Sequence, residues 1–414
     1  MSCQLFRQRY IIRRVRIRII GITLFFLVGY TVIKAVEILP SQPWLAVALA
    51  LGIFVLIIGW QWISHHPQWN VNDKIWYRVL AWCASEVMSF WSIFIPLSFV
   101  TDLIYLFVRT GLLEAHARPL PFSMRSLEFF MLTVTAVMTI AGYIIALAGP
   151  KVRDVTVPIE GLPADLNGLK IAQISDLHVG STIRRRYVER VVAKANAVQA
   201  DLVTVTGDLL DGWAERLTEH LNPLSGLQSR HGVYYVTGNH EYYWDAHQTI
   251  DKIKQFGFVP LINESVPLKI GETHVLVSGI TDPAGEMLSE DHIPDVARAA
   301  RMVVAAQAAH LNSDLHQGAD VVKPLLRVLL SHRPDVYREA EEHGFHLQLS
   351  GHTHGGQYFP YNLMMRFFHK FHRGLHQYGR LAIYVNPGSG YWAPANRLGV
   401  PAEISVITLI SRKQ

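Results

Sequence analysis

The sequence predicts an all-α membrane domain with several spans, followed by an α/β domain. Three observations predict this division. Composition changes near Pro150, where long apolar runs give way to alternating strand-like and helix-like segments. The surplus of positive charge belongs to the first part, and polar residues with metal-ligand character follow the apolar runs of the second. We therefore expect a transmembrane domain over residues 1–150 and a second domain over residues 151–414.

The distribution of charge excludes one class of partner. Residues 1–150 contain 12 Lys and Arg against 6 Asp and Glu, whereas residues 151–414 contain 26 against 27. Because the second domain has no basic surplus, we predict that the protein does not bind nucleic acid. The basic residues before the first apolar run suit the anionic headgroups of a cytoplasmic leaflet. They are Arg7, Arg9, Arg13, Arg14, Arg16 and Arg18.

The cysteine content limits the chemistry of the second domain. Cys3 and Cys83 are the two cysteines of the chain, and both precede residue 151. The second domain therefore has no disulfide framework, no thiolate nucleophile and no cysteine ligand for zinc.

Four apolar stretches approach the ~20 residues that cross a bilayer as a helix. They are residues 19–36, 44–63, 79–107 and 127–147. The third contains Glu86, Pro96 and Asp102, so a single kinked helix and two half-helices are both compatible with it. Carboxylates are costly at membrane depth, and we expect Glu86 and Asp102 to face other helices or the interface.

The basic N-terminus predicts the orientation of these spans. The positive-inside rule places it in the cytoplasm, and four crossings return the chain to the same side. We therefore expect a multi-pass protein of the cell inner membrane with its second domain on the cytoplasmic face. The alternative is that Arg13 and Arg14 belong to a twin-arginine signal, which would place the second domain on the exported side.

The second domain begins as a βαβ unit and continues with further strands. A helix is expected over Arg184–Ala197, where apolar residues recur at helical spacing. An Ala-rich excursion at residues 282–323 favours helix. The predicted strands are Leu169–Ile174, Leu202–Thr206, Val233–Thr237, Val275–Gly279, Arg327–Leu330, Phe345–Leu349, Leu381–Val385 and Glu403–Leu409.

Short polar blocks follow five of these strands. Ligands gather beyond the carboxyl ends of strands in open α/β sheets, so we expect the blocks to meet at one edge of one sheet. Their carboxylate, imidazole and amide groups suit Mn, Fe, Zn or Co. Two such cations can activate a bridging hydroxide and neutralise charge on a phosphoryl group. The blocks are Asp176-Leu-His178, Gly207-Asp208, Gly238-Asn239-His240-Glu241, Ser331-His332 and Gly351-His352-Thr-His354.

In this order the blocks resemble the calcineurin-like metallophosphoesterase superfamily. The resemblance covers residues 155–409, and the sequences Gly-Leu-Lys-Ile-Ala-Gln-Ile-Ser-Asp-Leu-His and Gly-His-Thr-His-Gly-Gly-Gln are similar to its membrane-associated bacterial branch. It implies a metallophosphoesterase domain built as a β-sandwich of mixed sheets flanked by helices. It also implies two divalent metal ions, with Asp208 as the bridging ligand.

The resemblance also implies a role for each site residue. One metal would be bound by Asp176, His178, Asp208 and His354, and the other by Asp208, Asn239, His332 and His352. His240 would be the catalytic residue, facing the substrate as a general acid or as a donor to developing charge. Taken singly, these residues have ordinary explanations: His178 and His352 as core or capping residues, Asn239 as a turn residue with positive φ, and Asp176 as a helix cap.

These observations predict a membrane-anchored, metal-dependent phosphoric ester hydrolase of the phosphodiesterase or pyrophosphatase type. Attack by a metal-bridging hydroxide would cleave a phosphoester, with membrane lipids as neighbours and a lipid-linked substrate as the natural expectation. The alternative is a membrane sensor or partner-binding protein whose phosphoesterase domain is a regulated or non-catalytic output. A transporter is disfavoured by short loops and few polar positions in the apolar stretches. The oligomeric state is left open.

Overall fold

The computed structural model describes residues 26–65, 74–113, 123–301 and 326–412. Within these ranges the chain forms two compact units. One is helical and comprises the described residues up to Ile63 together with Leu80–Ile140. The other comprises Ser64–Val79 and Ala141–Gln414 within the same described ranges.

Long apolar helices form the first part of the chain. Residues 26–38 are helical (α1), followed by α2 (Pro43–His65), α3 (Ile75–Leu113) and α4 (Met124–Leu147). Among the described residues, three segments are long and apolar enough to cross a membrane, namely Pro43–Trp60, Ile75–Thr110 and Met124–Leu147. The start of the predicted span 19–36 lies outside the described residues. The third predicted span is one continuous helix through Pro96, so the half-helix alternative is wrong.

Lys34 is the centre of a charged cluster in the helical unit. Its side chain is 1% exposed, and its ammonium lies 2.6 Å from Asp102 Oδ1, 2.6 Å from Glu128 Oε1 and 2.8 Å from Glu37 Oε2. Tyr30 donates a further hydrogen bond of 2.7 Å to Asp102 Oδ2. Asp102 therefore faces another helix, as expected for a carboxylate in an apolar segment, and one ammonium links α1, α3 and α4.

We expect Lys34→Met to destabilise the helical unit strongly. The substitution leaves three carboxylates without their shared cation, and breaking a buried ion pair by removing one partner costs about 3–5 kcal/mol. The thermal unfolding midpoint of the full chain in detergent checks this, with Lys254→Met as control because that side chain is 60% exposed. Equal midpoints for the two variants would show that the cluster contributes nothing to stability.

Two six-stranded mixed sheets form the α/β unit. The first has the order β1-β12-β2-β3-β4-β5 and the second β10-β11-β9-β8-β7-β6. The strands are β1 (Lys151–Ile159), β2 (Lys170–Ile174), β3 (Leu202–Thr206), β4 (Val233–Val236), β5 (Val259–Pro260), β6 (Glu264–Ile270), β7 (Thr273–Gly279), β8 (Leu326–Leu330), β9 (Leu347–Ser350), β10 (Gly374–Tyr378), β11 (Leu381–Val385) and β12 (Glu403–Ser411).

Parallel pairing dominates the centre of each sheet. Strands β2, β3 and β4 are parallel neighbours in the first sheet, with Ile171 opposite Leu202 and Val203 opposite Val233. Strands β7, β8 and β9 are parallel neighbours in the second. Their carboxyl ends therefore point in a common direction within each sheet, which is the arrangement expected from the sequence.

A shared apolar core lies between the two sheets. Ile171 and Val236 of the first sheet belong to the same buried cluster as Val277, Val328 and Leu349 of the second. The α/β unit is therefore the β-sandwich of mixed sheets that the resemblance implied. Helices complete it: α5 (Arg185–Ala197), α6 (Thr218–Leu221), α7 (Asn239–Trp244), α8 (Ala246–Gln255), α9 (Val296–Ala299), α10 (Tyr337–Glu342) and α11 (Tyr361–Phe368).

All eight predicted strands are present, but four further strands were not predicted. Strands β1, β6 and β10 carry polar or charged residues among their apolar ones and lie at sheet edges, and β5 is two residues long. Such strands lack the continuous apolar run that marks a buried strand. The predicted excursion at residues 282–323 begins with short turns of 3₁₀-helix at Pro283–Met287 and Glu290–His292, and its residues 302–323 lie outside the described part.

Candidate metal centre

The polar blocks follow strands of both sheets. In the first sheet β2 leads to Asp176 and His178, β3 to Asp208, and β4 to Asn239 at the start of α7. In the second sheet β8 leads to His332, and β9 to His352 and His354. The expectation that all the polar blocks meet at one edge of a single sheet is therefore wrong. The two sheets pack face to face, and this brings the carboxyl ends of both parallel sets to one site.

Asp208 is the central carboxylate of the site. Its Oδ2 lies 3.3 Å from His332 Nε2 and 3.8 Å from both His178 Nε2 and His240 Nε2. Burial acts to raise the pKa of Asp208, but attraction by His332 and His240 outweighs it and holds the pKa well below its usual value. Asp208 is therefore an anion in contact with ligand candidates on both of its sides.

Two pairs of imidazole nitrogens face each other around this carboxylate. His178 Nε2 and His354 Nε2 are 3.1 Å apart, and His332 Nε2 and His352 Nδ1 are 3.2 Å apart. Asp176 Oδ1 lies 3.4 Å from His354 Nε2. Three overlapping groups of possible ligand atoms result: Asp176 with His178 and His354, His178 with Asp208 and His240, and Asp208 with His332 and His352.

Asn239 supplies an independent indication of a cation. Its side chain is 5% exposed, and its Oδ1 is buried without a hydrogen-bond partner among the described residues. Burying an amide oxygen without a hydrogen-bond partner costs free energy, and coordination to a divalent cation would satisfy that oxygen. The donor set, with its carboxylate, imidazole and amide atoms, fits Mn, Fe, Zn or Co.

The backbone at the site is strained in a way that local sequence does not require. Asp176, His178, Asp208, His352 and His354 all have φ between 50° and 71°, in the left-handed region that non-glycine residues rarely adopt. Residues in such conformations are held by the surrounding structure, and they cluster at active sites and ligand-binding sites. Asn239 does not share this conformation, so the explanation of Asn239 as a positive-φ turn residue is wrong.

Two glycines allow a close backbone approach at the site. A Cβ added at Gly238 would overlap Asp208 Oδ1, and one added at Gly351 would overlap Ser175 Oγ and Asp176 Oδ2. Both positions therefore exclude any side chain, because the space is taken by the carboxylates of ligand candidates or by their neighbours.

Several ligand candidates are held by hydrogen bonds on the side away from the site. His332 Nδ1 lies 2.8 Å from the carbonyl oxygen of Thr206, a contact in which Nδ1 carries the proton and leaves Nε2 free to bind a cation. His354 Nδ1 lies 3.2 Å from Nη2 of Arg397, whose side chain is fully buried. These contacts fix the orientation of the rings.

Asp211 is a functional residue that the sequence reasoning missed. Its Oδ1 lies 2.5 Å from His240 Nδ1 and 3.1 Å from His178 Nδ1. The signal that would have identified it is its place three residues after Asp208, in Gly-Asp-Leu-Leu-Asp. One carboxylate therefore orients both a ligand candidate and the expected catalytic histidine.

His240 lies beside the other ligand candidates, and its side chain is 12% exposed. Burial acts to lower its pKa, but attraction by Asp211 and Asp208 raises it to about 9. The exposed rings of Tyr243 and Trp392 lie 5.2 Å and 5.9 Å from the His240 ring. A protonated imidazole with aromatic neighbours can donate to a bound oxyanion while the aromatics contact the rest of the substrate.

Glu241 positions the backbone of the site. Its carboxylate accepts hydrogen bonds from the backbone N–H groups of Asp208 at 3.0 Å, Leu209 at 2.7 Å and Gly238 at 2.6 Å. The residue is fully buried. It therefore orients the loop that carries Asp208.

We expect Glu241→Ala to lower the stability of the α/β unit. Each of three buried N–H groups would lose its acceptor, and an unsatisfied buried donor costs about 1–3 kcal/mol. Thermal unfolding of the full chain in detergent, followed in the presence of a chelator, measures the loss without a contribution from bound metal. Glu272→Ala is the control because that side chain is 92% exposed. A midpoint equal to that of the control would contradict this positioning role.

Residues that flank the polar blocks differ in their surroundings. Gln357 donates to the carbonyl oxygens of Trp392 and Pro394, so it belongs to a tight loop. Tyr242 and Trp244 pack against other aromatic side chains, whereas Tyr243 faces the site. His369 lies near the site without joining a ligand group of the described residues, its ring 6.1 Å from that of His352.

Comparison with known proteins agrees with this geometry. The model of the calcineurin-like phosphoesterase family matches residues 169–356. A zebrafish (Danio rerio) transmembrane protein with a metallophosphoesterase domain is 32% identical over 328 residues, covering 75% of this chain and 71% of the relative. The chain belongs to the calcineurin-like phosphoesterase family. Its members use divalent metals, and the His and Asp groups described above are able to hold them.

Other relatives of this family extend the comparison. An uncharacterized metallophosphoesterase of Helicobacter pylori strain J99 is 32% identical over 275 residues, covering 66% of this chain and 67% of the relative. The solved structure of Haemophilus influenzae NAD nucleotidase aligns with a TM-score of 0.35 at 17% identity, covering 54% of this chain and 45% of that chain. The latter likeness is too distant to indicate a substrate.

Proposed function

We propose that this protein is a membrane-anchored phosphoesterase that hydrolyses a phosphoester or pyrophosphate at a centre of two divalent cations. The observation that carries the proposal is the position of Asp208 Oδ2, within 3.8 Å of three imidazole nitrogens from both sheets. A single carboxylate oxygen in that position suits a bridge between two cations.

The ligand sets follow from the distances around Asp208. Asp176, His178 and His354 would bind one cation together with Asp208, and Asn239, His332 and His352 would bind the other. The unsatisfied Oδ1 of Asn239 supports the second set. Bound Mn, Fe, Zn or Co ions would lower the pKa of a water and neutralise charge on phosphoryl oxygens.

His240 would be the catalytic residue that completes the site. Attraction by Asp211 and Asp208 raises its pKa and favours the imidazolium form, and Asp211 holds its Nδ1 so that Nε2 lies on the Asp208 side. In that form it donates a proton or a hydrogen bond to the oxygen on which charge develops.

We infer a lipid-linked substrate from the surroundings of the site. Candidate membrane helices and a transmembrane relative support a membrane location. Exposed Tyr243 and Trp392 beside His240 provide apolar contact area for the part of the substrate that is not phosphate. We place the domain boundary near Pro150, in a multi-pass protein of the inner membrane, with the phosphoesterase domain on the cytoplasmic side.

Hydrolysis by the full chain in detergent tests this proposal. The protein is stripped with a chelator, reloaded with Mn, Fe, Zn or Co, and assayed on bis(p-nitrophenyl) phosphate and on a lipid pyrophosphate in mixed micelles. We expect activity only after reloading, and a higher kcat/KM on the lipid. Equal kcat/KM values on both substrates would contradict the lipid-linked substrate, and inactivity on both under every metal would contradict the phosphoesterase itself.

The charged cluster around Lys34 favours a second candidate function. Ion pairs buried among apolar helices are expensive, and they often mark a functional element. In this alternative the helical unit senses a ligand or binds a partner, and phosphoesterase activity is its output. Lys34→Met would then change kcat/KM on the soluble diester while the metal content stays at the wild-type level. Unchanged kinetics would leave anchoring as the role of the helices.

A further inference from the structure

Helix α11 carries an unusual set of exposed apolar side chains. None of its residues is buried, and Phe367 and Phe368 are 77% and 71% exposed. Leu363 and Met364 are 52% and 47% exposed, and each lies four residues before one of these phenylalanines, on the same side of the helix. Soluble surfaces rarely expose adjacent large apolar side chains without a partner.

The chain around α11 is basic. No Asp or Glu occurs between Glu342 and Glu403, whereas the α/β domain as a whole has balanced charge. Arg366, Lys370, Arg373 and Arg380 lie within this stretch, and the guanidinium of Arg366 is 5.1 Å from the Phe367 ring. Apolar side chains interleaved with basic ones are typical of segments that lie in the interface of an anionic membrane.

Helix α11 is firmly joined to the loop that carries two ligand candidates. A Cβ added at Gly356 would lie 2.6 Å from the backbone nitrogen of Asn362, so the helix packs directly on the loop. Thr353 Oγ1 donates a hydrogen bond of 2.5 Å to the carbonyl oxygen of His372. The His369 ring at the end of the helix lies 6.1 Å from that of His352. A surface that binds α11 would therefore also lie close to the metal centre.

We propose that α11 lies in the headgroup region of an anionic membrane leaflet. Phe367 and Phe368 extend toward the acyl chains, and Arg366 contacts lipid phosphates. The mouth of the metal centre is thereby held at the depth of the lipid phosphates. This inference deepens the proposed function, because it names the membrane as the phase that presents the substrate, and in that respect it rests on the proposed function. The membrane contact itself is measured without substrate.

Fluorescence quenching on the full chain in nanodiscs tests the contact. In a Cys3→Ser, Cys83→Ser background, an environment-sensitive fluorophore is attached at Phe367→Cys. The control is Glu272→Cys, which lies between β6 and β7 at the end of the second sheet opposite to the ligand-bearing ends. Discs contain phosphatidylglycerol with phosphatidylethanolamine, or phosphatidylcholine alone. Quenchers are nitroxide groups on the acyl chains and iodide in the water.

We expect position 367 to be quenched several-fold more by acyl-chain nitroxide than position 272, and several-fold less by iodide. The difference is expected to be larger in the phosphatidylglycerol discs. Arg366→Glu is expected to reduce nitroxide quenching at position 367, whereas Arg185→Glu, at an exposed site on α5, is expected to leave it unchanged.

Two results would overturn the proposal. Iodide quenching at position 367 equal to that at position 272 would place α11 in water. Protection of position 367 from both quenchers would mean that protein, from this chain or from a second copy, covers the helix. Neither result depends on hydrolytic activity, so failure of this inference is distinguishable from failure of the proposed phosphoesterase function.

Discussion

Replacing Asp208 by asparagine is expected to abolish hydrolysis and to lower the metal content of the protein. The carboxylate Oδ2 lies within 3.8 Å of imidazole nitrogens from both proposed ligand sets, so a neutral amide removes the charge that both cations share. We expect kcat/KM to fall by more than about 10³-fold, because charge compensation for two cations and for the phosphoryl group is lost together.

The matched control for this variant is Asp251→Asn, at a side chain that is 71% exposed on α8. Both variants are purified as full chains, and their metal content is measured by inductively coupled plasma mass spectrometry beside the kinetics. Wild-type metal content and wild-type kcat/KM in Asp208→Asn would show that this residue is not the bridging ligand.

Replacing His240 by glutamine is expected to lower kcat by about 10²–10⁴-fold while both cations stay bound. The imidazole is held by Asp211, and its nitrogen nearest the site is 3.8 Å from Asp208, so it can reach a substrate oxygen without being a ligand. Glutamine keeps a hydrogen-bonding side chain but cannot transfer a proton. Steady-state kinetics and metal analysis on the same preparations separate the two effects.

His247→Gln is the control for His240→Gln, because His247 is exposed and lies seven residues further along the chain. Loss of metal in His240→Gln would identify His240 as a ligand instead. A rise in KM with unchanged kcat would reduce its role to substrate binding. Asp211→Asn in the His240→Gln background removes the remaining contact of this carboxylate, to His178 Nδ1 at 3.1 Å, so we expect it to lower the metal content as well.

The residues of the site could be predicted from the sequence more completely than the arrangement of strands that brings them together. Short apolar runs end two residues before Asp176, Asp208 and His332, and the end of such a run marks the end of a buried strand. Asp211 was missed because it belongs to a turn with no strand of its own, and its role depends on two histidines that only the folded chain brings near.

The division of the strands between two sheets could not be read from the sequence. Apolar runs reveal that β3 and β8 are buried, but their periodicity does not say which sheet each joins. The edge strands β1, β6 and β10 contain polar residues that interrupt an apolar run, and they pair with strands distant in the chain or across a tight hairpin. The cluster around Lys34 was equally hidden, because it depends on contacts among three helices.

The number of cations at the site tests the central claim most directly. The full chain is stripped, reloaded with Mn(II) in stoichiometric steps and examined by electron paramagnetic resonance together with metal analysis. We predict two ions per chain with an exchange-coupled signal, since Asp208 would bridge them, and loss of that coupling in Asp208→Asn. A single uncoupled ion at saturation, or an identical signal in Asp208→Asn, would contradict a dinuclear centre built on Asp208.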